Sequence, residues 1–198
     1  MRIVLWLRHD LRVRDNAALY AALRLAQEII PVVVLEPQNP EDSWGTARYQ
    51  FVLEAVKGLS NEITSRGSTL VVRHGDPLME LLRVMEQTQA DGLYFSRFDD
   101  PQAFAQEARV VTEISAMGFV VHTMASGFTL DVEALMDAKG QPYRSWTAFK
   151  RHWAATKKPI PHKAPASIPT GEDTKKILTL LTDQRFLSDD TSIDPGGE

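Results

Sequence analysis

Five strand-length apolar runs recur along the chain: Ile3–Leu7, Ile29–Leu35, Thr69–Val72, Gly92–Ser96 and Phe119–Met124. Helix-like stretches separate them. This alternation constrains the fold more than any other feature. Apolar runs alternating with helices make successive βαβ units, whose crossovers put helices on both faces of a parallel sheet. Ile29–Leu35 is apolar throughout, as suits a strand covered on both sides. The expected fold is α/β: a Rossmann-like five-stranded parallel sheet with helices on both faces, over residues 1–130. An irregular linker over 131–198 is expected to follow.

Helices are expected over Ala17–Ala26, Ala47–Arg66, Pro77 to about Gln89, and Pro101–Met117. In the first, apolar residues recur at Leu19, Ala22, Leu23 and Ala26, the spacing of one helical face. Asp15 or Asn16 can cap it, because a short polar side chain accepts from the free amides of a first turn. Asp76 and Pro77 open the third helix. Gly67 and Gly118 close the second and fourth.

Beyond Ser126 the pattern changes. Leu130–Leu135 is short and irregular, Lys139–Pro142 reads as a turn, and Trp146–Ala155 as an aromatic, basic helix. Four prolines between Lys157 and Pro169 forbid regular structure and predict a linker crossing the surface. Thr174–Phe186 is expected to hold one weak helix. The acidic, Gly-rich stretch Asp189–Glu198 is not expected to order alone.

Composition excludes several classes of function. The 198 residues contain no cysteine, which removes disulfides, thiolate catalysis and zinc–thiolate sites. With 22 Lys and Arg against 26 Asp and Glu, the net charge is −4. That balance argues against wholesale nucleic-acid binding, which needs concentrated cations. No apolar run approaches the ~20 residues of a membrane helix, and a charged loop from Arg8 onward is no secretory signal. A cytoplasmic protein with no membrane partner is expected. There is no Gly-x-x-x-x-Gly-Lys loop, no Gly-x-Gly-x-x-Gly after the first run, and no serine nucleophile elbow. The five histidines lack metal-ligand spacing. No metal site and no catalytic residue is expected in this chain.

In open α/β sheets, ligands bind outside the carboxyl ends of the strands. Arg8, His9 and Asp10 follow the first run there, and Glu36 and Gln38 follow the second. Arg48 lies early in the next helix. Asp99 and Asp100 follow the fourth run. Arginine donors and carboxylate acceptors suit a planar heterocycle with an anionic tail. Each residue also has a plain structural reading. Arg8, Asp10 and Asp15 can form ion pairs and caps, Arg48 can pair with Glu41 or Asp42, and Asp99 or Asp100 can cap a helix. Trp6 reads as core. Lys150, Arg151, Lys157, Lys158 and Lys163, interleaved with Trp146, Phe149, His152 and Trp153, suit either a nucleic-acid backbone or packing on another domain.

The opening, Leu5-Trp6-Leu7-Arg8-His9-Asp10-Leu11-Arg12-Val13-Arg14-Asp15-Asn16-Ala17-Ala18-Leu19, resembles the N-terminal signature of the DNA photolyase/cryptochrome family. Four later blocks follow in family order. They are Gly45, Arg48 and Phe51–Glu54; Leu70–Pro77; Phe98–Pro101; and Gly140–Phe149. Pro195-Gly196-Gly197-Glu198 is similar to the start of the family's C-terminal helical domain. There are departures. His9 stands where the family usually has Arg, Gln or Lys, and Gln102 to Gln106 replace most of the arginines that usually follow Pro101.

The resemblance implies the N-terminal α/β domain of a deoxyribodipyrimidine photolyase, which repairs cyclobutane pyrimidine dimers with light. This half would bind an antenna chromophore, commonly a folate, a deazaflavin or FMN. Arg8, His9, Asp10, Glu36, Arg48, Asp99 and Asp100 would rim its site. The implied partners are a missing C-terminal helical domain, which carries FAD, and damaged DNA. A cryptochrome signalling protein and a free-standing nucleotide-binding α/β protein are the alternatives.

Overall fold

Trp6 sits between Val32 and Phe95 in the strand register, so the first strand is the middle of the sheet. The computed structural model describes residues 1–37, 46–98, 100–125, 129–130 and 132–188. Strands β1 (Arg2–Leu7), β2 (Glu28–Leu35), β3 (Val71–His74), β4 (Gly92–Arg97) and β5 (Val120–Ala125) pair in parallel, in the order β3-β2-β1-β4-β5. The expected five-stranded α/β sheet is the one formed.

Side chains alternate across the sheet. Ile3, Leu5 and Leu7 join one buried layer with helices α1 (Ala17–Leu23) and α2 (Thr46–Thr64). Val4 and Trp6 join the opposite layer with α3 (Pro77–Thr88) and α4 (Pro101–Ala116). Each fully buried aliphatic side chain contributes about 1.5–3 kcal/mol. Strand order reverses between β1 and β4, because β1 leads to α1 on one face and β4 to α4 on the other. That reversal is where an open α/β sheet leaves a crevice.

Several boundaries differ from expectation for local reasons. Helix α1 stops at Leu23 rather than Ala26, because the Gln27 amide is taken by the Met1 carbonyl at 2.8 Å as the chain turns into β2. Strand β3 runs two residues further, through Arg73 and His74, paired in register with Val34 and Leu35 of β2. His74 is therefore a strand residue. The Arg73 guanidinium donates to the buried Glu80 carboxylate at 2.7 Å, which lets a cation sit in a strand.

Residues 157–169 contain no helix or strand, as expected, yet they are fastened to the sheet layers. The Asp15 amide donates to the His162 carbonyl at 2.9 Å, and the His162 amide donates back to the Asp15 carboxylate at 3.1 Å. Ile168 is buried beside α1 and α2. The next helices are α5 (Trp146–Ala155), before this strap, and α6 (Glu172–Leu181), after it. Helix α6 packs Leu178 into the α3–α4 layer. Where one weak helix was expected over Thr174–Phe186, α6 ends and a 3-10 turn spans Gln184–Leu187. The break falls at Asp183, whose amide donates to the Val72 carbonyl at 2.8 Å.

Helix α5 buries none of its residues. Trp146 is 71% exposed and Trp153 40%. These two and Phe149 recur at helical spacing, which places the aromatics on one stripe. Among the described residues no helix is long and apolar enough to cross a membrane.

Candidate functional site

The loop after β1 turns sharply. Asn16 holds it: its Nδ2 donates to the Asp10 carboxylate at 3.0 Å and to the Arg12 carbonyl at 3.1 Å, while its Oδ1 accepts from the Leu19 amide at 2.8 Å. One buried amide side chain thus caps α1 and orders the polar loop. Asp15 adopts φ 52°, in the left-handed region that its short side chain tolerates.

Arg8 is drawn inward. Its Nη1 donates to Glu107 of α4 at 2.5 Å and its Nη2 to Gln106 at 2.6 Å, and its guanidinium lies 4.3 Å from the Trp6 ring centroid. Burial disfavours both charges of the Arg8–Glu107 pair, lowering the guanidinium and raising the carboxyl, and each charge opposes that shift on its partner. Glu107 also accepts from the Phe98 amide at 3.0 Å, so the loop after β4 closes on the same carboxylate. Gln106 reaches the other way, donating from Nε2 to Glu36 at 2.8 Å. Arg8, Gln106 and Glu36 therefore tie β1, α4 and the end of β2 together.

His9 is exposed and stacks on Phe98, with centroids 4.3 Å apart and planes 28° apart. Partial burial and the Arg8 charge lower its imidazole below the ordinary value; Asp100 opposes this and Arg48 adds to it. So Arg48 and Asp100 both act on His9 from different elements. Asp100 is a cap, its Oδ1 accepting from the Ala103 amide at 3.1 Å. Asp10 is buried, and burial raises its carboxyl.

The structure thus gathers Arg8, His9, Asp10, Glu36, Arg48 and Asp100 near the reversal point. Arg8, Asp10 and Asp100 have the structural contacts that were one of their two readings. Asp99, Gln38, Glu41 and Asp42 lie outside the described residues. Two members went unread in the sequence, Gln106 and Glu107. Glu107 falls on the buried spacing Ala103, Glu107, Val110, Ile114 of α4. A carboxylate on an apolar stripe demands a buried cation, and that was the available signal. Among the described residues no group of three or more His, Asp or Glu is placed to hold a metal ion.

A doubly wound parallel sheet with a polar cluster at its reversal point defines an open-sheet α/β domain. Sequence comparison narrows this. The DNA photolyase family matches residues 3–169, so the chain belongs to that family, as its N-terminal α/β domain. It is 27% identical over 161 residues to an uncharacterized 31.6 kDa protein of the atpI 5′ region of Synechococcus sp. (strain PCC 6716), covering 81% of this chain and 57% of that one. It is 25% identical over 167 residues to a deoxyribodipyrimidine photo-lyase of another Synechococcus strain, covering 84% of this chain and 34% of the relative. In fold it is similar to a bacterial class III photolyase from Agrobacterium tumefaciens, with TM-score 0.79, 27% identity, and 86% and 35% of the two chains covered. The chain therefore spans between about a third and three-fifths of the length of these relatives.

Proposed function

We propose that this chain is the antenna-binding half of a deoxyribodipyrimidine photolyase, an enzyme that repairs cyclobutane pyrimidine dimers in damaged DNA with light. The observation that carries this reading is the coincidence of the family match over residues 3–169 with a polar cluster at the sheet's reversal point. The donor set fits a folate, a deazaflavin or FMN. Each of these has a planar ring with amide-type edges, and folate and FMN carry an anionic tail. His9 stacked on Phe98 offers a flat platform, Arg8 and Glu36 offer a donor and an acceptor, and exposed Arg48 suits the tail. The chromophore, when bound, supplies absorption of near-ultraviolet or blue light. The chain's own residues bind and orient it, and the α1 and α4 caps keep the two loops in place.

The partners proposed are a helical FAD-carrying domain and damaged DNA. Between Ala138 and Lys163 there are seven Lys and Arg and no Asp or Glu. With the bare aromatic stripe of α5, that segment suits the junction with a second domain. A cytoplasmic location follows from the same reading. The test is a fluorescence titration with folate, deazaflavin and FMN, repeated with His9→Ala and Arg48→Ala. One ligand should bind, and both substitutions should weaken it about tenfold, the equivalent of one lost contact of about 1.4 kcal/mol. Binding that neither substitution changes places the ligand elsewhere.

A further inference from the structure

The Gln106 side chain stands between a group that can only donate and a group that can only accept. Its Oε1 takes a hydrogen bond from Arg8 Nη2 at 2.6 Å, and its Nε2 gives one to Glu36 Oε2 at 2.8 Å. A guanidinium has no acceptor and an ionised carboxylate has no donor, so the orientation of the carboxamide is fixed by chemistry. Neither a carboxylate nor a cation at position 106 could satisfy both neighbours. A neutral group with C=O and N–H side by side does so, pairing each neighbour with the complementary atom.

The charge balance points the same way. Arg8 is already neutralised by Glu107 at 2.5 Å, with side-chain exposures of 8% and 5%. Its outward Nη2 edge therefore calls for a neutral acceptor, not a second anion. A phosphate there would also meet Glu36 at close range.

We propose that Gln106 is an internal stand-in for the ligand. Its carboxamide fills the recognition edge of Arg8 and Glu36, and the group that displaces it is a ring lactam, C=O beside N–H, of a neutral heterocycle. This rests on the crevice reading given above and deepens it. A primary amide and a ring lactam share the same O–C–N–H edge, so the exchange keeps both hydrogen bonds and both charges. Gln106 then competes with the ligand and sets the affinity of the site, while the Arg8–Glu36 pair sets the requirement for an unsubstituted ring N–H.

The test uses the full chain with lumiflavin and 3-methyllumiflavin, which differ in whether the one lactam nitrogen of the ring carries hydrogen or a methyl group. Both are followed by fluorescence against the wild type, Gln106→Ala, and Gln106→Ala combined with Glu36→Ala. Alanine is the best helix former, so the first substitution leaves α4 intact. Gln106→Ala should bind lumiflavin at least tenfold more tightly than the wild type and gain less than twofold for the methylated compound. Adding Glu36→Ala should erase that preference. An equal gain for both compounds means that only space was freed and overturns the inference. So does no gain, or no binding of lumiflavin to any variant. FMN binding in the crevice without a lactam preference overturns this inference and leaves the proposed function standing. A lumiflavin gain in Gln106→Ala, with no binding of folate, deazaflavin or FMN to the wild type, does the reverse.

Discussion

Arg8 and Glu107, 99 positions apart in sequence, meet at 2.5 Å across the reversal point of the sheet, with side-chain exposures of 8% and 5%. One comes from the loop after β1 and the other from α4, so the pair fastens the crevice wall to the sheet. Removing one partner of a buried pair leaves an uncompensated charge, which costs about 3–5 kcal/mol. Arg8→Met should therefore lower unfolding free energy by that amount in urea. The double variant Arg8→Met, Glu107→Leu should recover much of the loss, because an apolar pair of similar volume replaces an ionic one.

Asn16 carries both the cap of α1 and the Asp10 carboxylate. Asn16→Ala removes a cap contact of about 0.5–2 kcal/mol and one hydrogen bond to a buried carboxylate, which adds about 1–3 kcal/mol. Denaturation of Asn16→Ala beside Asn16→Asp separates the two. Aspartate can still cap but cannot donate to Asp10, so it should fall at least as far as alanine.

Glu28, the first residue of β2, anchors α6. Its carboxylate accepts from the Gly171 amide at 3.0 Å and the Thr174 hydroxyl at 2.9 Å. Gly171 has an ordinary φ of −67°, but a Cβ added there would lie 2.3 Å from Glu28 Oε1. Gly171→Ala should therefore destabilise by about 1–3 kcal/mol through overpacking. Hydrogen exchange should show α6 opening more readily in this variant while β1 stays protected.

The same carboxylate gives a pH signature. Burial alone would raise the Glu28 carboxyl, but Thr174, Arg2 and the Gly171 amide outweigh it and hold it below its ordinary 4.5. Folded Glu28 then takes a proton less readily than unfolded Glu28. Its stabilisation is complete above the ordinary value and is lost as pH falls through the folded one. Asp10 and Glu107, raised by burial, act in the opposite sense. The gap in stability between the wild type and Glu28→Gln isolates the anchor. It should be widest near neutrality and close as pH drops below the ordinary glutamate range; a constant gap contradicts the anchor.

The strands were legible because they are covered on both faces, so Ile3–Leu7 and Ile29–Leu35 read as unbroken apolar runs. Asp76 was legible as a cap because its side chain meets the Met79 amide of its own helix, at 3.1 Å. The end of β3 was hidden, since Arg73 and His74 are polar and owe their place to Glu80 and to the Phe186 ring 5.4 Å away. The site was half legible. Strand-end placement pointed to Arg8, His9 and Glu36. Arg8 and Glu36 are joined through Gln106, and Arg8 is held by Glu107; these contacts span 70 to 99 positions, so the local pattern can mark Glu107 as a buried carboxylate but does not name its partner.

Binding of a planar chromophore at the carboxyl edge of β1, β2 and β4 can be followed residue by residue in backbone amide spectra of the labelled chain, recorded while FMN is added, with deazaflavin and folate in parallel. One of them should shift a contiguous set comprising Arg8, His9, Glu36, Arg48, Phe98 and Gln106, and leave Gln27, Ala90 and α6 at the amino edge unmoved. Shifts confined to α5 or the amino edge, or no shift with any of the three at millimolar concentration, contradict binding at the carboxyl edge.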